Sequence, residues 1–470
     1  MSAFREGTQS ACANTSPLHE ATPSYAFSVL ATLEAAGAES WIVGGFVRDA
    51  LMGRAATDVD IATVAPWQEV RAVCKAAGFA THQTGVKHGT LTVVPDGTHA
   101  VEVTTYRADG AYTDGRHPDH VAFLNSIEED LQRRDFTMNA MAWHPARGLL
   151  DPFGGQRDIT AGIIRVVGDP ERRFTEDALR ILRACRFASQ LGFSIDDATF
   201  TGMVRNKFRL AQVSTERVTH ELDALVIGEW VHDALMRCVD VLAFVLPELA
   251  AMKDCDQITK WHIYDVLEHT AYTVQHAPAE RLVRWAALAH DMGKPAAAFF
   301  DADGVEHFYG HAAVGARMAR GMCERLLMSP TFRTDVELLV RRHDDVIEPT
   351  ARGVRRALMR LDGRVELFRA LLALKRADTL AHSAEGAKRA TLIDQLEEVL
   401  EQVLGDDAAF SVRDLRVDGC DVLSLGVPEG PEVGRRLQAA LDAVVDERIP
   451  NEREALICFL KSLDATPCNP

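Results

Sequence analysis

The sequence predicts an α+β chain, with a small mixed-sheet region at the N-terminal side and an all-helical remainder. Three observations carry that reading. Residues 26–160 alternate strand-like and helix-like segments. From about residue 170 onward strand-like runs vanish, and helical runs of Leu, Ala and Arg dominate. The length, 470 residues, allows about three domains, or one small domain beside a long helical one.

Residues 1–25 read as a disordered tail with no apolar core of signal-peptide type. Ser40-Trp-Ile-Val reads as a strand that ends at Gly44-Gly45. Val59-Asp-Ile-Ala-Thr is a second, β-branched strand. Gly89 to Val94 and Ala100 to Tyr106 alternate with period two around the turn Pro95-Asp-Gly, which predicts a hairpin. Residues 106–120 are Gly-rich and polar and read as a mobile loop. Helical patterns then cover 178–188, 282–290 and 336–342, with joints expected near residues 160, 250 and 385. In the tail, Gly430-Pro431 begins a helix whose N-terminus offers either a phosphate seat or a plain packing turn.

Lys plus Arg total 51 and Asp plus Glu 68, a net charge of −17, which excludes a large basic coat. A polynucleotide partner must therefore be held by local basic patches. Residues 165–186 form one, with six Arg against four acids. No run of about 18 apolar residues exists, so no membrane span and a cytoplasmic location are expected. The 9 cysteines include no CxxC pair. Cys185, Cys238 and Cys458 sit in apolar helical contexts and read as reduced, buried thiols.

The densest chemistry lies in Gly44-Gly45-Phe46-Val47-Arg48-Asp49 and Thr57-Asp58-Val59-Asp60-Ile61. A Gly pair after a strand permits a sharp turn that leaves amide N–H groups at the next helix start, a seat for phosphate. On a strand, Asp58 and Asp60 would project from one face. Alone, such a pair marks a solvated strand end; beside Gly-Gly and apolar Ile61-Ala62 it points to a divalent cation. Glu102, in an otherwise apolar strand, is a candidate third carboxylate.

These residues resemble the first motif of the polymerase-β-like nucleotidyltransferase superfamily. Arg133-Arg-Asp-Phe-Thr-Met-Asn-Ala, then Glu176-Asp-Ala-Leu-Arg180, then Glu216-Arg217 with Glu221 resemble its next motifs in order. The chain is similar to bacterial class II CCA-adding enzymes. That resemblance implies a polymerase-β-like head (26–160), a helical neck that selects bases and binds RNA (161–250), an HD domain (251–385) and a helical tail that grips the tRNA elbow (386–470). It implies two Mg²⁺ ions on Asp58 and Asp60, with CTP, ATP and the tRNA acceptor end as partners. Gly44, Gly45, Arg48, Arg134, Asp135 and Asn139 would hold sugar and triphosphate. Asp177 and Arg180, with Arg183 and Arg186 nearby, would read the base. An ionised Asp only accepts hydrogen bonds and an Arg only donates. Cytosine and adenine both offer an amino donor beside a ring-nitrogen acceptor, so the pair suits C and A but not U or G. Three residues apart, Asp177 and Arg180 are expected on one helix face. The loop at 106–120 resembles the one that helps switch the pocket from CTP to ATP.

His290-Asp291-Met-Gly-Lys294 matches the core of the HD phosphohydrolase superfamily, with Gly293 expected to terminate the helix. His269 and Asp378 complete an H…HD…D pattern, and His311 and His343 are candidate ligands for a second metal. The metal could be Mg²⁺, Mn²⁺, Ni²⁺ or Fe²⁺, since a mixed N/O ligand set does not choose. The resemblance thus implies CCA addition, with phosphate-ester hydrolysis at the HD centre. Rival readings are a poly(A) polymerase, an A-adding-only enzyme, and a metal-dependent phosphohydrolase with an idle head.

Overall fold

The computed structural model of the chain describes residues 17–56, 58–85, 89–109, 121–257, 264–302, 306–382, 390–405 and 409–463. The chain divides into two compact units, residues 1–188 with 192–214, and residues 189–191 with 215–470.

The first unit is built on a mixed sheet. Its strands are β1 (Ser40–Val43), β2 (Val59–Thr63), β3 (Ala80–Gly85), β4 (Thr90–Val94) and β5 (Val101–Thr105). A separate small hairpin, β6 (Arg107–Asp109) and β7 (Val121–Phe123), precedes β8 (Ala142–His144) and β9 (Gly148–Leu150). The order across the seven-stranded sheet is β3-β4-β5-β2-β1-β8-β9. β2 runs parallel to β5 and antiparallel to β1. The hairpin of β4 and β5 forms as its alternation predicts.

Burial explains the different sequence textures of these strands. β1 is central and buried at every position, so it shows no polar alternation. In β4 only Leu91 and Val93 turn inward, which produces the period of two. The sheet has a core on each face. Ile42, Ile61, Val103 and Phe46 belong to one, and Trp41, Val43, Ala62 and Tyr106 to the other. Phe46 and Val47 are fully buried in helix Gly45–Leu51. At about 1.5–3 kcal/mol for each such side chain, they anchor the turn that begins at Gly44.

The C-terminal two thirds is nearly all helix, as its sequence texture predicts, with two short strand pairings as exceptions. Ile163–Ile164 (β10) pairs with Ser194–Ile195 (β11), and Phe299–Phe300 (β12) with Glu306–His307 (β13). Two-residue pairings are too short to leave a period in the sequence. The rest of this region is helical, and the second unit includes Val266–His276, Arg281–Ala289, His311–Arg325, Pro330–Arg342 and Val365–Leu380. Helices Pro431–Val445 and Arg453–Ser462 close a tail core around Leu441, Val445, Leu456 and Leu460. Cys185 and Cys238 are buried, but Cys458 is exposed. Helix Arg453–Ser462 turns Leu456 and Leu460 inward, and the residue midway between them faces away. Among the described residues no helix is long and apolar enough to cross a membrane.

Candidate functional site

In the first unit the site grows from the end of β1. Gly44 has φ +76°, a left-handed conformation that glycine adopts without strain. A Cβ there would lie 2.8 Å from Arg134 Nη1 and 3.6 Å from Asp60 Oδ2. Glycine thus lets the first two motifs meet. Strand register supplies the carboxylates: Val43 lies opposite Asp60, and Asp60 beside Glu102. Asp58 stands just before β2 rather than within it, and it is exposed where Asp60 is half-buried.

Asp60 carries the electrostatic signature of this cluster. Burial pushes its carboxyl up, Arg134 opposes the shift, and Glu102 and Asp58 add to it, leaving a pKa of about 6. Three carboxylates with too little positive charge nearby are a fit for divalent cations.

A hydrogen-bonded chain of polar side chains joins the first two motifs to the basic helix. Arg48 donates through Nε and Nη2 to Asp49, at 2.8 and 2.9 Å. Its Nη1 donates to Asn139 Oδ1 at 2.7 Å. Asn139 Nδ2 donates to Asp135 Oδ1 at 3.1 Å, and Arg183 Nε to Asp135 Oδ2 at 2.7 Å. Burial alone would raise the Asp135 carboxyl, but Arg183 and Asn139 hold it below its ordinary value. The sequence reading missed Phe187. Its buried ring lies under three guanidinium groups, of Arg186 at 4.1 Å, Arg48 at 5.1 Å and Arg183 at 5.6 Å, with Phe136 edge-on. The signal available was an aromatic at i+4 from Arg183 inside an Arg-rich helix.

The expected helix face shared by Asp177 and Arg180 is not there. Helix Pro170–Glu176 ends at Asp177, whose φ of −145° is extended, and the next helix starts at Leu179. Asp177 Oδ1 accepts from the Leu179 amide at 3.0 Å. Arg180 instead pairs with Glu176 at 3.1 Å and donates to the carbonyls of Arg173 and Arg133. The basic patch is also largely neutralised. Arg172, Arg173 and Arg180 share Glu176, and Arg165 binds Asp158 and Asp196. Residues 110–120 of the expected mobile loop lie outside the described residues.

In the second unit, His269, His290, Asp291, His311, His343 and Asp378 come together from separate helices. His290 and His343 cap the C-termini of their helices, and His311 opens its own. Nδ1 of His290, His311 and His343 faces a carbonyl three residues back, at 2.7, 2.9 and 2.7 Å. A carbonyl can only accept, so Nδ1 carries a proton and Nε2 is the atom turned toward the centre. Nε2 of His311 and Nε2 of His343 face each other at 3.2 Å. Nε2 of His290 and His269 are 3.4 Å apart. Imidazole nitrogens that close need a proton or a metal ion between them, and with Asp291 beside both pairs the residues fit a metal.

Asp291 is the centre of the cluster. Its Oδ2 lies 3.1 Å from His290 Nε2 and 3.4 Å from His269 Nε2. Its Oδ1 lies 3.4 Å from His311 Nε2 and 3.7 Å from His343 Nε2. One carboxylate thus serves two ligand groups. Asp378 reaches His269 at 3.0 Å. His382, which the sequence reading passed over, joins His269 and Asp378 as a third group. Lys294 Nζ lies 2.6 Å from Asp291 Oδ2 and donates to Gln257.

Gly293 does not terminate a helix in the left-handed manner. Its φ is −82°, and it is small because a Cβ would come within 2.2 Å of the His311 carbonyl oxygen and 2.5 Å of the Gly315 amide. It admits helix His311–Arg325 against the HD turn. In the tail, the helix start at Pro431 is served by Glu432, which pairs with Arg435 and Arg436.

The fold and the carboxylate site define a nucleotidyltransferase with an added histidine–aspartate centre. Family models agree: residues 40–165 match the poly A polymerase head domain, and 192–253 an RNA and SrmB-binding site of polymerase A. Residues 261–383 match the HD domain, and 363–460 a tRNA nucleotidyltransferase domain 2. The CCA-adding enzyme of Geobacillus kaustophilus is 35% identical, covering 94% of this chain and 97% of the relative. That of Geobacillus thermodenitrificans is 36% identical with the same coverage. The crystal structure of the Bacillus stearothermophilus CCA-adding enzyme in complex with CTP superposes with a TM-score of 0.71 at 30% identity, covering 94% of this chain and 97% of that one. The chain belongs to the CCA-adding enzyme family.

Proposed function

We propose that this chain builds or repairs the 3′-terminal CCA of tRNA from CTP and ATP, with Asp58 and Asp60 as its catalytic carboxylates and Glu102 as their third partner. The observation that carries the assignment is the convergence of Asp58, Asp60 and Glu102 beside Gly44 and Arg134. In the reaction the RNA 3′-hydroxyl loses its proton to solvent, its oxygen bonds to the nucleotide α-phosphorus, the bond to the β-phosphate bridging oxygen breaks, and pyrophosphate leaves. Mg²⁺ bound to the carboxylates supplies Lewis acidity at the attacking and leaving oxygens. Gly44 and Gly45 bring backbone close to the triphosphate, Arg48 and Arg134 supply its counter-charge, and Asp135 and Asn139 hold Arg48 and Arg183 in place. Asp177 and Arg180 read the base edge, beside Arg183 and Arg186. Residues 26–160 form the head, 161–250 the neck, 251–385 the HD domain and 386–470 the tRNA-elbow region, in a cytoplasmic enzyme. The test is incubation with tRNA ending at the discriminator base, with each nucleotide alone and with CTP plus ATP. CTP alone should add two residues, and the pair should add three. Addition of A only would assign the C residues to another enzyme, and long A tracts would favour a poly(A) polymerase.

The second centre supports a second activity, hydrolysis of a phosphate ester. His269, His290, Asp291 and Asp378 would hold a divalent cation, with His311 and His343 holding another through the shared Asp291. A metal there, when bound, supplies an activated water. Lys294 holds Asp291 and adds positive charge beside the incoming phosphate. The inward-facing Nε2 atoms carry this reading.

A further inference from the structure

Beside the head site lies a buried carboxylate that has so far been given no role. Asp130, in helix Ile127–Gln132, is 1% exposed. Its Oδ1 accepts from Arg133 Nε at 2.9 Å and from the Arg107 amide at 3.3 Å. Its Oδ2 accepts from Arg134 Nη2 at 3.4 Å. Arg107 opens β6, two residues after the end of β5, the strand that carries Glu102. One acid thus ties the chain just past the Glu102 strand to two arginines. Burial alone would raise its carboxyl, but Arg133 and Arg134 hold it below its ordinary value, so it is ionised. Arg134 is gripped at one end only. While Nη2 faces Asp130, Nη1 lies against the Gly44 turn, where a Cβ would come within 2.8 Å of it. Its Nε is buried and has no hydrogen-bond partner among the described residues. A buried donor left unpaired is costly, so this atom awaits an acceptor from outside the chain.

We propose that Asp130 is a positioning residue for nucleotide addition, one that holds Arg134 along the Gly44 turn so that the rest of its guanidinium meets the triphosphate. The inference rests on the nucleotidyltransferase reading above and names a residue that sets its affinity for the polyphosphate. A planar guanidinium offers donors on more than one edge, so it can be anchored by one carboxylate and still bind a second anion. The anchor also protects the metal site. Arg134 is attracted to Asp60, whose carboxyl it pulls down. Untethered, it would swing onto Asp60 and occupy the oxygens that a divalent cation needs. Asp130 touches no group that reads the base, so its effect falls on the phosphates and leaves base choice alone. The competing account is that Asp130 only stabilises the fold.

The test uses the full chain with Mg²⁺ and reads binding, turnover and melting. Wild type, Asp130→Asn, Arg134→Gln and the double variant are compared on tRNA ending at the discriminator base, and each is titrated with CTP and with CMP. Asp130→Asn should raise KM for CTP and ATP together, roughly tenfold, with a smaller change in kcat. Binding of CMP and the preference for C and A over U and G should stay as in wild type. The double variant should be no weaker than Arg134→Gln alone, since Asp130 acts through that side chain. If Asp130→Asn weakens CTP and CMP equally, or melts lower while its KM values match those of wild type, the role is structural and the proposal is refuted. If Asp130→Asn does not fold, Arg134→Lys decides. An ammonium keeps the charge but cannot present a planar fork to Asp130 and the triphosphate at once. That variant should lose CTP affinity relative to CMP, and wild-type affinity for CTP in it would refute the proposal. If wild type extends tRNA with neither nucleotide, the nucleotidyltransferase reading falls and the proposal with it.

Discussion

In the head, three carboxylates meet on and just before adjacent strands, with Arg134 as a balancing charge. In the HD domain, five imidazoles and two carboxylates converge from helix ends, with Lys294 beside them. Asp60 is held above its ordinary pKa, because burial and like charges outweigh Arg134. Asp291 and Asp378 are held well below theirs; burial would raise them, but the histidines more than offset it. The head donors are oxygen alone and partly exposed, which suits a hard cation that arrives with each nucleotide. The HD donors are nitrogen-rich, buried and fixed by backbone carbonyls, which suits a resident metal. One chain thus holds two centres with opposite electrostatic needs.

The comparison breaks first if the centres depend on each other. Asp60→Ala should lower both C and A addition roughly a thousandfold, the several kcal/mol expected of a metal acting on the reacting oxygens. Ester hydrolysis should be unchanged. Loss of C addition alone would refute a single shared site. The converse variant, His290→Ala with Asp291→Ala, should abolish metal uptake and metal-stimulated hydrolysis while tRNA extension stays within about twofold of wild type. Equilibrium dialysis with metal analysis reads the uptake directly.

A smaller effect concerns Asp177 and Arg180, the pair proposed to read the base. Asp177→Ala should reduce CTP and ATP use relative to UTP and GTP by about ten- to a hundredfold, or roughly 1.5–3 kcal/mol. Glu176→Ala should act differently. Glu176 anchors Arg180 from the preceding turn, so its loss should weaken both correct nucleotides without admitting the wrong ones. Four-nucleotide competition on one tRNA separates the two, and identical selectivity profiles would leave Asp177 without a distinct role.

Much of the head and of both centres was legible because each motif is local. Gly44-Gly45, Asp58, Asp60 and the His290-Asp291 pair are short strings whose spacing carries their chemistry. What failed was continuity. The apolar period from residue 170 to 191 runs straight through Asp177, so nothing in the pattern marks the extended residue that separates two helices. Gly293 was misread because a glycine needed for close approach looks the same in sequence as a glycine needed for positive φ. His382 sits one helical turn beyond Asp378 and could have been found by i,i+4 spacing. The aromatic packing at Phe187 joins Arg183 and Arg186, which a local window shows, to Arg48 and Phe136, which it does not.

The smallest effect tests the electrostatic contrast itself. Asp60 in the metal-free protein titrates near pH 6, against an ordinary value of 3.8. Its proton is bound more tightly in the folded state, so the sign follows. Below about pH 3 the carboxyl is protonated in both states and makes no difference. As pH rises toward 6 the unfolded chain ionises freely while the folded one resists, and stability falls. Above about pH 6 the full cost remains, about 1–3 kcal/mol after discounting for partial exposure. Asp60→Asn should therefore melt higher than wild type at pH 8 without metal, by a few degrees, and at the same temperature near pH 3. Millimolar Mg²⁺ should close the gap by stabilising wild type alone. The same variant should be inactive in nucleotide addition, so stability and activity move in opposite directions at one residue. At Asp291 the substitution to Asn should do the reverse. It removes a carboxylate that the histidines and Lys294 stabilise, so the protein should melt lower at pH 8. If both variants shift melting in the same direction, the contrast between the two centres is wrong.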